Sequence, residues 1–345
     1  MKEKNKIIFD PRFGKRPARL VGRDDVLRDI RAAIDDADEP GRTMVVTGVK
    51  GSGKTALLAE IRAGLGSAQA VSIDLLDDAR MDAIGQGEGL RNPAQAAAVY
   101  FADDARADRP GLREFLAGYA RRAAARENVM LLLAGVPHEV GELLKGGELA
   151  FLRRARRAPL GSVRTDEVLS LFEEAFAENG AGADGPGLGS VKGPGAVGAG
   201  IANSALLRAA EATAGYPYLI QLVGYYLSKN ANRIDGKAAD KAIFLAKIEL
   251  YKNIHEPQVW SLSSKDRVFL WAMAQDDGPS EFGDIAKRMD VSAGYASKYR
   301  ERLINAGMIY RSAYGELSFQ MPYMKEYIEK EYIERLGGEG RKRRL

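Results

Sequence analysis

Apolar runs typical of buried strands alternate with helical patterns in the first half of the chain. The strand-like runs are Thr43–Thr47, Ala70–Leu75, Ala97–Ala102 and Val129–Ala134. Helical patterns lie between them, at Ala56–Ala63 and Leu112–Arg126. Strands separated by helices predict a parallel sheet with helices on both faces, so we predict an α/β domain over residues 19–163.

Helical patterns dominate the middle of the chain. They cover Ala205–Ala214, Tyr218–Asn230 and Lys237–Lys252, and they predict a helical region over residues 164–255. Within this region, residues 180–200 contain nine glycines. Such a composition cannot hold a packed helix or strand, so we predict a flexible loop there with no chemistry of its own.

The last part of the chain begins with three short helical patterns in quick succession, starting near Leu262. Two strand-like runs hinged at Tyr314 and Gly315 follow them. Helices joined by a tight turn and followed by a hairpin are typical of a winged helix-turn-helix, which we predict over residues 256–332. Basic segments flank the folded regions, at residues 1–18 and 333–345.

Composition excludes several kinds of chemistry. The 345 residues include no cysteine and two histidines, so disulfides, thiolate zinc sites and histidine-based catalysis are not expected. We expect His138 and His255 to be solvated or packed side chains. The net charge of +4 permits a nucleic-acid partner without arguing for one. No apolar run approaches the roughly 20 residues of a membrane span, and no signal peptide is evident, so we expect a cytoplasmic protein without a membrane partner.

Residues 48–55, GVKGSGKT, form a complete phosphate-binding loop motif between a predicted strand and a predicted helix. Glycines allow successive backbone N–H groups to turn towards phosphate oxygens. Lys54 would reach the β- and γ-phosphates of ATP, and the Thr55 hydroxyl would bind Mg²⁺. The motif predicts a P-loop NTPase fold with nucleotide contacts from Gly48, Val49, Lys50, Gly51, Ser52, Gly53, Lys54, Thr55 and Ala56.

A magnesium-dependent nucleotide site also needs a carboxylate at the end of a neighbouring strand. The segment AVYFADD supplies Asp103 to hold Mg²⁺ and Asp104 to orient the attacking water. A weaker alternative is the segment AVSIDLLDD, which contains Asp74, Asp77 and Asp78. We therefore predict an ATPase that uses ATP and Mg²⁺ and releases ADP, with Lys54 and Asp104 as catalytic residues.

Two further segments carry a family resemblance: RLVGRDDVLRDI at 19–30 and GYPYLIQLVGYYL at 215–227. Together with LAGVP and FLRRARRAPLG, they resemble bacterial P-loop ATPases of the AAA+ and STAND type, with an origin-recognition-like core, a helical lid and a C-terminal winged helix. The resemblance implies that Val21, Gly22 and Arg23 lie near the adenine and that Pro217 packs on the base. Asp104 stands where that family usually has glutamate, which implies slow hydrolysis.

The run FLRRARR contains Arg153, Arg154, Arg156 and Arg157. One of them, with Arg154 preferred, would complete the active site of a neighbouring subunit as an arginine finger, which implies a nucleotide-dependent homo-oligomer. The alternative is a basic, solvated helix end.

The presumed recognition helix and wing display cations that would face a DNA groove, and the predicted DNA contacts are Ser297, Lys298, Arg300, Arg302 and Arg311. Against this, residues 256–345 carry 15 basic and 14 acidic side chains. We predict an ATP-driven switch coupled to a DNA-binding winged helix. The alternative is a nucleotide-stabilised module whose winged helix binds protein.

Overall fold

The computed structural model describes residues 9–36, 42–65, 70–72, 98–145, 147–177, 202–229 and 234–331. The chain forms two compact units, Met1–Ala246 and Lys247–Leu345. The glycine-rich stretch, the alternative aspartates of AVSIDLLDD and the basic tail all lie outside the described residues.

The first unit contains a parallel five-stranded sheet in the order β2-β3-β4-β1-β5. Its strands are β1 Arg42–Thr47, β2 Ala70–Ser72, β3 Ala98–Ala102, β4 Val129–Gly135 and β5 Arg156–Pro159. The α/β fold with a parallel sheet is therefore confirmed. Strand β5 was not predicted, because it carries arginines where the other strands carry apolar residues.

Helices cover both faces of this sheet. Along each central strand, alternate residues point to opposite sides, so Met44 and Val46 belong to one core and Val45 to the other. One face packs against α1 Asp24–Asp35 and α2 Lys54–Gly64. The other packs against α3 Leu112–Ala124, α4 Pro137–Leu143 and the 3₁₀ turn Gly147–Arg153. Burial on both faces explains why β3 and β4 read as continuous apolar runs.

Four helices complete the described part of the first unit and continue the chain into the second. They are α5 Thr165–Ala177, α6 Asn203–Ala212, α7 Pro217–Ser228 and α8 Gly236–Leu250. Helix α7 is apolar almost throughout and is mostly buried, and its first residue is a proline, the residue preferred at that position. Helices α6, α7 and α8 begin and end within a few residues of the predicted helical patterns, whereas α5 lies in the predicted helical region without a pattern of its own.

The second unit contains a π-helical turn at Tyr251–His255, several short helices and a three-stranded antiparallel sheet in the order β6-β8-β7. The helices are α9 Glu256–Trp260, α10 Ser264–Ala274, α11 Phe282–Arg288, α12 Ala293–Asn305 and α13 over 324–331. The strands are β6 Ser280–Glu281, β7 Ile309–Ala313 and β8 Glu316–Phe319. None of the helices in the described part of the chain is long and apolar enough to cross a membrane.

Candidate functional site

The phosphate loop follows directly after β1 and leads into α2. Its backbone is left-handed at Gly51 and Gly53, with φ of +78° and +90°. A Cβ on Gly51 would lie 2.3 Å from the hydroxyl of Tyr216, and one on Gly48 would lie 2.3 Å from Ser52 Oγ. Three glycines of the motif are thus required by the backbone and by close neighbours in this structure.

Positive charge is concentrated at the start of α2. The Lys54 ammonium donates hydrogen bonds to the carbonyl oxygens of Gly48 at 2.8 Å and Val49 at 2.9 Å. Burial lowers the pKa of Lys54, and the carboxylates of Asp103 and Asp104 oppose that shift. The N-cap residue is Gly53, which offers no side chain to the first-turn N–H groups. A phosphate group would satisfy both the ammonium and these amides.

A hydroxyl and a carboxylate that could bind a metal ion lie side by side near Lys54. Thr55 Oγ1 donates a hydrogen bond of 2.6 Å to Asp103 Oδ2, which joins the start of α2 to the end of β3. Among the described residues there is no group of three histidine, cysteine or acidic side chains suited to a metal. One hydroxyl and one carboxylate fit Mg²⁺, which takes few protein ligands and completes its shell with phosphate oxygens and water.

Asp104 lies beside this pair in different surroundings. Its backbone is left-handed, with φ of +51°, and its N–H donates to Asp103 Oδ1 at 2.9 Å. Its carboxylate is largely exposed and lies 3.5 Å from Arg106 Nε and 3.8 Å from Arg109 Nη1. Asp104 therefore borders the cleft as an anion with cationic neighbours, and its role in orienting water stays a prediction.

The phosphate loop from Lys50 onwards, the start of α2 and both aspartates line one cleft of about 280 Å³. Val21, Arg23 and Pro217 line it together with Lys54, Thr55 and both aspartates of the AVYFADD segment. Most residues of the segment 9–19 also line it, which the sequence did not indicate. We call residues 9–19 the arm.

Gly22 and Arg23 pack and hydrogen-bond against the segments that surround the cleft. Gly22 is left-handed at φ +65°, and a Cβ there would lie 2.7 Å from Val163. The Arg23 side chain is 6% exposed and donates to the carbonyl oxygens of Gly22 at 2.9 Å, Gly161 at 2.6 Å and Ser52 at 3.5 Å. Arg23 lines the cleft, and its guanidinium donates to backbone carbonyls that tie the phosphate loop to the segment before α5. Its position near the adenine stays a prediction.

The start of α7 is bonded to the phosphate loop. The Tyr216 hydroxyl donates to the Lys50 carbonyl oxygen, and Tyr218 N–H donates to the Gly51 carbonyl at 3.2 Å. Burial raises the pKa of Tyr216. Pro217 lies between them, with its Cβ 3.7 Å from the position that a Cβ on Gly53 would take. Pro217 thus lies against the phosphate loop where it lines the cleft, and its packing on the base stays a prediction.

Arg154 lies far from this cleft. Strands β1 and β5 are parallel neighbours, so the phosphate loop follows their carboxyl ends and Arg154 precedes their amino ends. The 3₁₀ turn Gly147–Arg153 ends directly before Arg154, and the following arginines, Arg156 and Arg157, belong to strand β5. Arg153 and Arg157 donate to the carbonyls of Leu144 and Leu152, whereas Arg154 is exposed. Topology therefore excludes Arg154 from its own phosphate site.

The predicted DNA contacts lie on α12 and β7 of the second unit. Lys298 is exposed, while Arg300 donates to Ser297 Oγ at 2.8 Å and lies 4.4 Å from the centre of the Phe282 ring. Glu301 accepts from both Arg300 and Arg311, at 3.2 Å and 2.5 Å.

Arg302, the remaining predicted contact, has a different partner. It bonds Asp266, which is 1% exposed and caps α10, at 2.5 Å. Arg302 therefore has a structural role that the sequence did not indicate.

Comparisons with known proteins identify similar domains. Residues 19–134 match a family described as an AAA ATPase domain, which confirms the predicted AAA+ core. Residues 252–328 match a family described as a domain of unknown function, DUF8462. No curated protein matches the chain by sequence.

Two archaeal structures have a similar fold. A Walker-type ATPase of Pyrococcus abyssi, PABY2304, aligns with a TM-score of 0.67 at 15% identity, over 93% of this chain and 99% of that one. The Aeropyrum pernix ORC2 protein, solved in ADPNP and ADP complexes, aligns with a TM-score of 0.65 at 11% identity, over 93% and 96%. The fold is therefore that of the P-loop ATPases.

Proposed function

We propose that this protein binds ATP with Mg²⁺, hydrolyses it slowly and uses the bound nucleotide to control a contact made by its second unit. The observation that supports nucleotide binding best is the meeting of the phosphate loop, Lys54 and the Thr55–Asp103 pair in one cleft. The AAA ATPase match over residues 19–134 and the nucleotide complexes of the A. pernix protein support the same proposal.

Each group has a task in this proposal. Lys54 leaves its carbonyl partners for the β- and γ-phosphates, and the α2 amides bind phosphate oxygens. Bound Mg²⁺ would neutralise charge on the phosphates, with Thr55 and Asp103 as its protein ligands. Asp104 would accept a hydrogen bond from the attacking water. Its short side chain and its cationic neighbours support slow turnover.

Arg154 belongs to this proposal only in a neighbouring subunit. Arg154 lies at the amino ends of the strands, whereas the phosphate loop lies at their carboxyl ends. It would therefore act as an arginine finger across an interface between two copies. The proposed assembly is a nucleotide-dependent homo-oligomer.

For the second unit we propose a winged helix that binds duplex DNA. Three helices followed by an antiparallel hairpin support it, as do exposed Lys298 on α12 and fully exposed Tyr314 at the hairpin tip. The alternative, a protein-binding winged helix, is favoured by Glu301, whose carboxylate pairs with two of the proposed DNA-contacting arginines.

The nucleotide site is tested by Lys54→Ala in calorimetric titrations with MgATP. Loss of a charge-assisted contact to phosphate predicts an affinity at least tenfold weaker. Lys145→Ala is the matched control, since Lys145 is exposed and pairs with Glu142 on the surface. Unchanged affinity in Lys54→Ala would refute the proposed phosphate site.

A further inference from the structure

The arm crosses the mouth of the nucleotide cleft. At its start, Phe9 is buried against Phe172 and Phe176, with ring centres 5.6 Å and 5.8 Å away. The space it occupies exists because position 224 is glycine, where a Cβ would lie 2.3 Å from the Phe9 ring. The next residue, Asp10, donates its N–H to Gln221 Oε1 of α7 at 3.1 Å. The arm is thereby anchored on the helices beside the cleft.

A second attachment lies on the other side, on α2. Arg16 Nε and Nη2 bond the two carboxylate oxygens of Glu60 at 2.7 Å and 3.2 Å. Glu60 belongs to the helix that begins with Lys54. Between Phe9 and Arg19, the arm therefore spans from α7 to the helix that follows the phosphate loop, and most of its residues line the cleft.

Phe13 lies in the middle of this span. One face of its ring stacks on Tyr218, with centres 4.7 Å apart and planes 17° from parallel. The side chain remains 54% exposed although it lines the cleft. Val21 and Ile220 line the same cleft and add apolar surface. A ring stacked on one side and open on the other offers a flat apolar face of the kind that nucleic-acid bases stack upon.

We propose that the arm is a strap over the bound nucleotide, that Phe13 supplies the stacking face for the base, and that nucleotide leaves only when Arg16 releases Glu60. This inference rests on the proposed nucleotide site. Phe13 faces the cleft because the arm is attached to α7 on one side and to α2 on the other. Weakening the Arg16 attachment and removing the Phe13 ring should therefore both speed dissociation of the nucleotide.

The experiment measures release of the fluorescent analogue mant-ADP, chased with ADP, together with calorimetric affinity for unlabelled ADP. Phe13→Ala should raise the dissociation rate and the Kd about 5- to 100-fold, which is the effect of losing one base-stacking ring. Phe13→Tyr should restore both to within about threefold of the parent, because it keeps the stacking face.

Arg16→Ala and Glu60→Ala should each raise the dissociation rate about two- to fivefold, as expected for one exposed ion pair. The double variant should release nucleotide no faster than either single variant, because both changes remove the same attachment. Controls are Phe244→Ala, an exposed phenylalanine on α8 outside the cleft lining, and Lys145→Ala. Both controls should match the parent.

The outcomes separate the strap from the site beneath it. If the parent binds ADP and Lys54→Ala does not, but Phe13→Ala and Arg16→Ala release nucleotide at the parent rate, the strap is wrong and the proposed function stands. If Phe13→Ala releases nucleotide faster but Arg16→Ala releases it at the parent rate, the strap is wrong and Phe13 is only a residue that stacks on the base. If the parent binds neither ADP nor mant-ADP, both proposals fail.

Discussion

Two adjacent aspartates at the end of β3 have different chemical surroundings. Asp103 accepts the Thr55 hydroxyl at 2.6 Å and lies where a Mg²⁺ ion would need an oxygen ligand. Asp104 has a left-handed backbone and lies within 4 Å of two arginines. The backbone turn between them sends one carboxylate to the Thr55 side and the other to the arginine side. Substitutions at the two positions should therefore change different steps.

Asp103→Asn should raise the Mg²⁺ concentration that half-saturates hydrolysis about 10- to 100-fold, because an amide oxygen carries no charge for the metal. Asp104→Asn should leave MgATP affinity within about twofold while lowering the hydrolysis rate at least tenfold, because it no longer holds the attacking water strongly. Phosphate release at several Mg²⁺ concentrations separates the two effects. Hydrolysis by Asp104→Asn at the parent rate would show that Asp104 has another role.

The positions of site residues that depend on local sequence could be predicted, and those that depend on distant contacts could not. Lys54 and Thr55 follow from the spacing of one motif and its flanking elements. Arg23 is predicted near the adenine, but its bond to the Gly161 carbonyl joins residues far apart along the chain, and the sequence could not indicate that bond. Phe13 meets Tyr218 over a separation of about two hundred residues. No pattern along the chain marks such a pair.

Among the strands, those that are fully buried could be predicted from the sequence, and the exposed edge strand could not. Strands β3 and β4 are buried along their whole length, and their apolar runs predicted them correctly. Strand β5 lies at the sheet edge with three of its four residues exposed, so its arginines suggested a helix end. An edge strand pairs on one side only and tolerates polar residues, which removes the apolar signal.

The π-helical turn before α9 contains a histidine in an unusual setting. His255 is completely buried between Tyr251 and Tyr327, and Nε2 lies 2.9 Å from the Pro322 carbonyl oxygen. Its Nδ1 has no hydrogen-bond partner among the described residues. Burial lowers the pKa of His255 to about 4, and the bond to Pro322 opposes that shift only in part. His255 is thus packed and neutral at pH 7, as expected for a histidine without catalytic partners.

This burial predicts acid sensitivity of the second unit. The pKa is 6.5 in an unfolded chain and about 4 in the fold, so the unfolded state binds the proton first and stability falls as pH falls through that window. We expect a loss of about 2 kcal/mol between pH 7 and pH 5. His255→Gln keeps an N–H for Pro322 and does not titrate, so it should remove most of this loss.

The measurement is urea unfolding followed by tryptophan fluorescence. Both tryptophans of the chain, Trp260 and Trp271, lie in the second unit and report on it selectively. If His255→Gln loses as much stability between pH 7 and pH 5 as the parent does, other groups cause the acid sensitivity and the packed histidine does not.

At the scale of the whole molecule, a nucleotide-binding unit is joined to a small unit whose surface charge is nearly balanced. The chain passes from one unit to the other within α8, so no long linker separates them. On the proposed DNA face, Lys298 is exposed, but Arg300 and Arg311 share the carboxylate of Glu301. A phosphate backbone would have to compete with that carboxylate for both arginines.

Glu301→Gln should therefore strengthen duplex DNA binding, because it frees two cations for phosphate contacts. Lys298→Ala combined with Arg311→Ala should remove about two such contacts and lower the slope of log affinity against log salt by roughly 1.8. Lys145→Ala is the control: Lys145 is exposed, pairs with Glu142 in the first unit and is not a proposed DNA contact, so it should leave the slope unchanged. Gel shifts at several salt concentrations, with and without MgATP, measure these effects and their dependence on nucleotide. Absence of duplex binding at low salt in every state, Glu301→Gln included, would favour the protein-binding alternative.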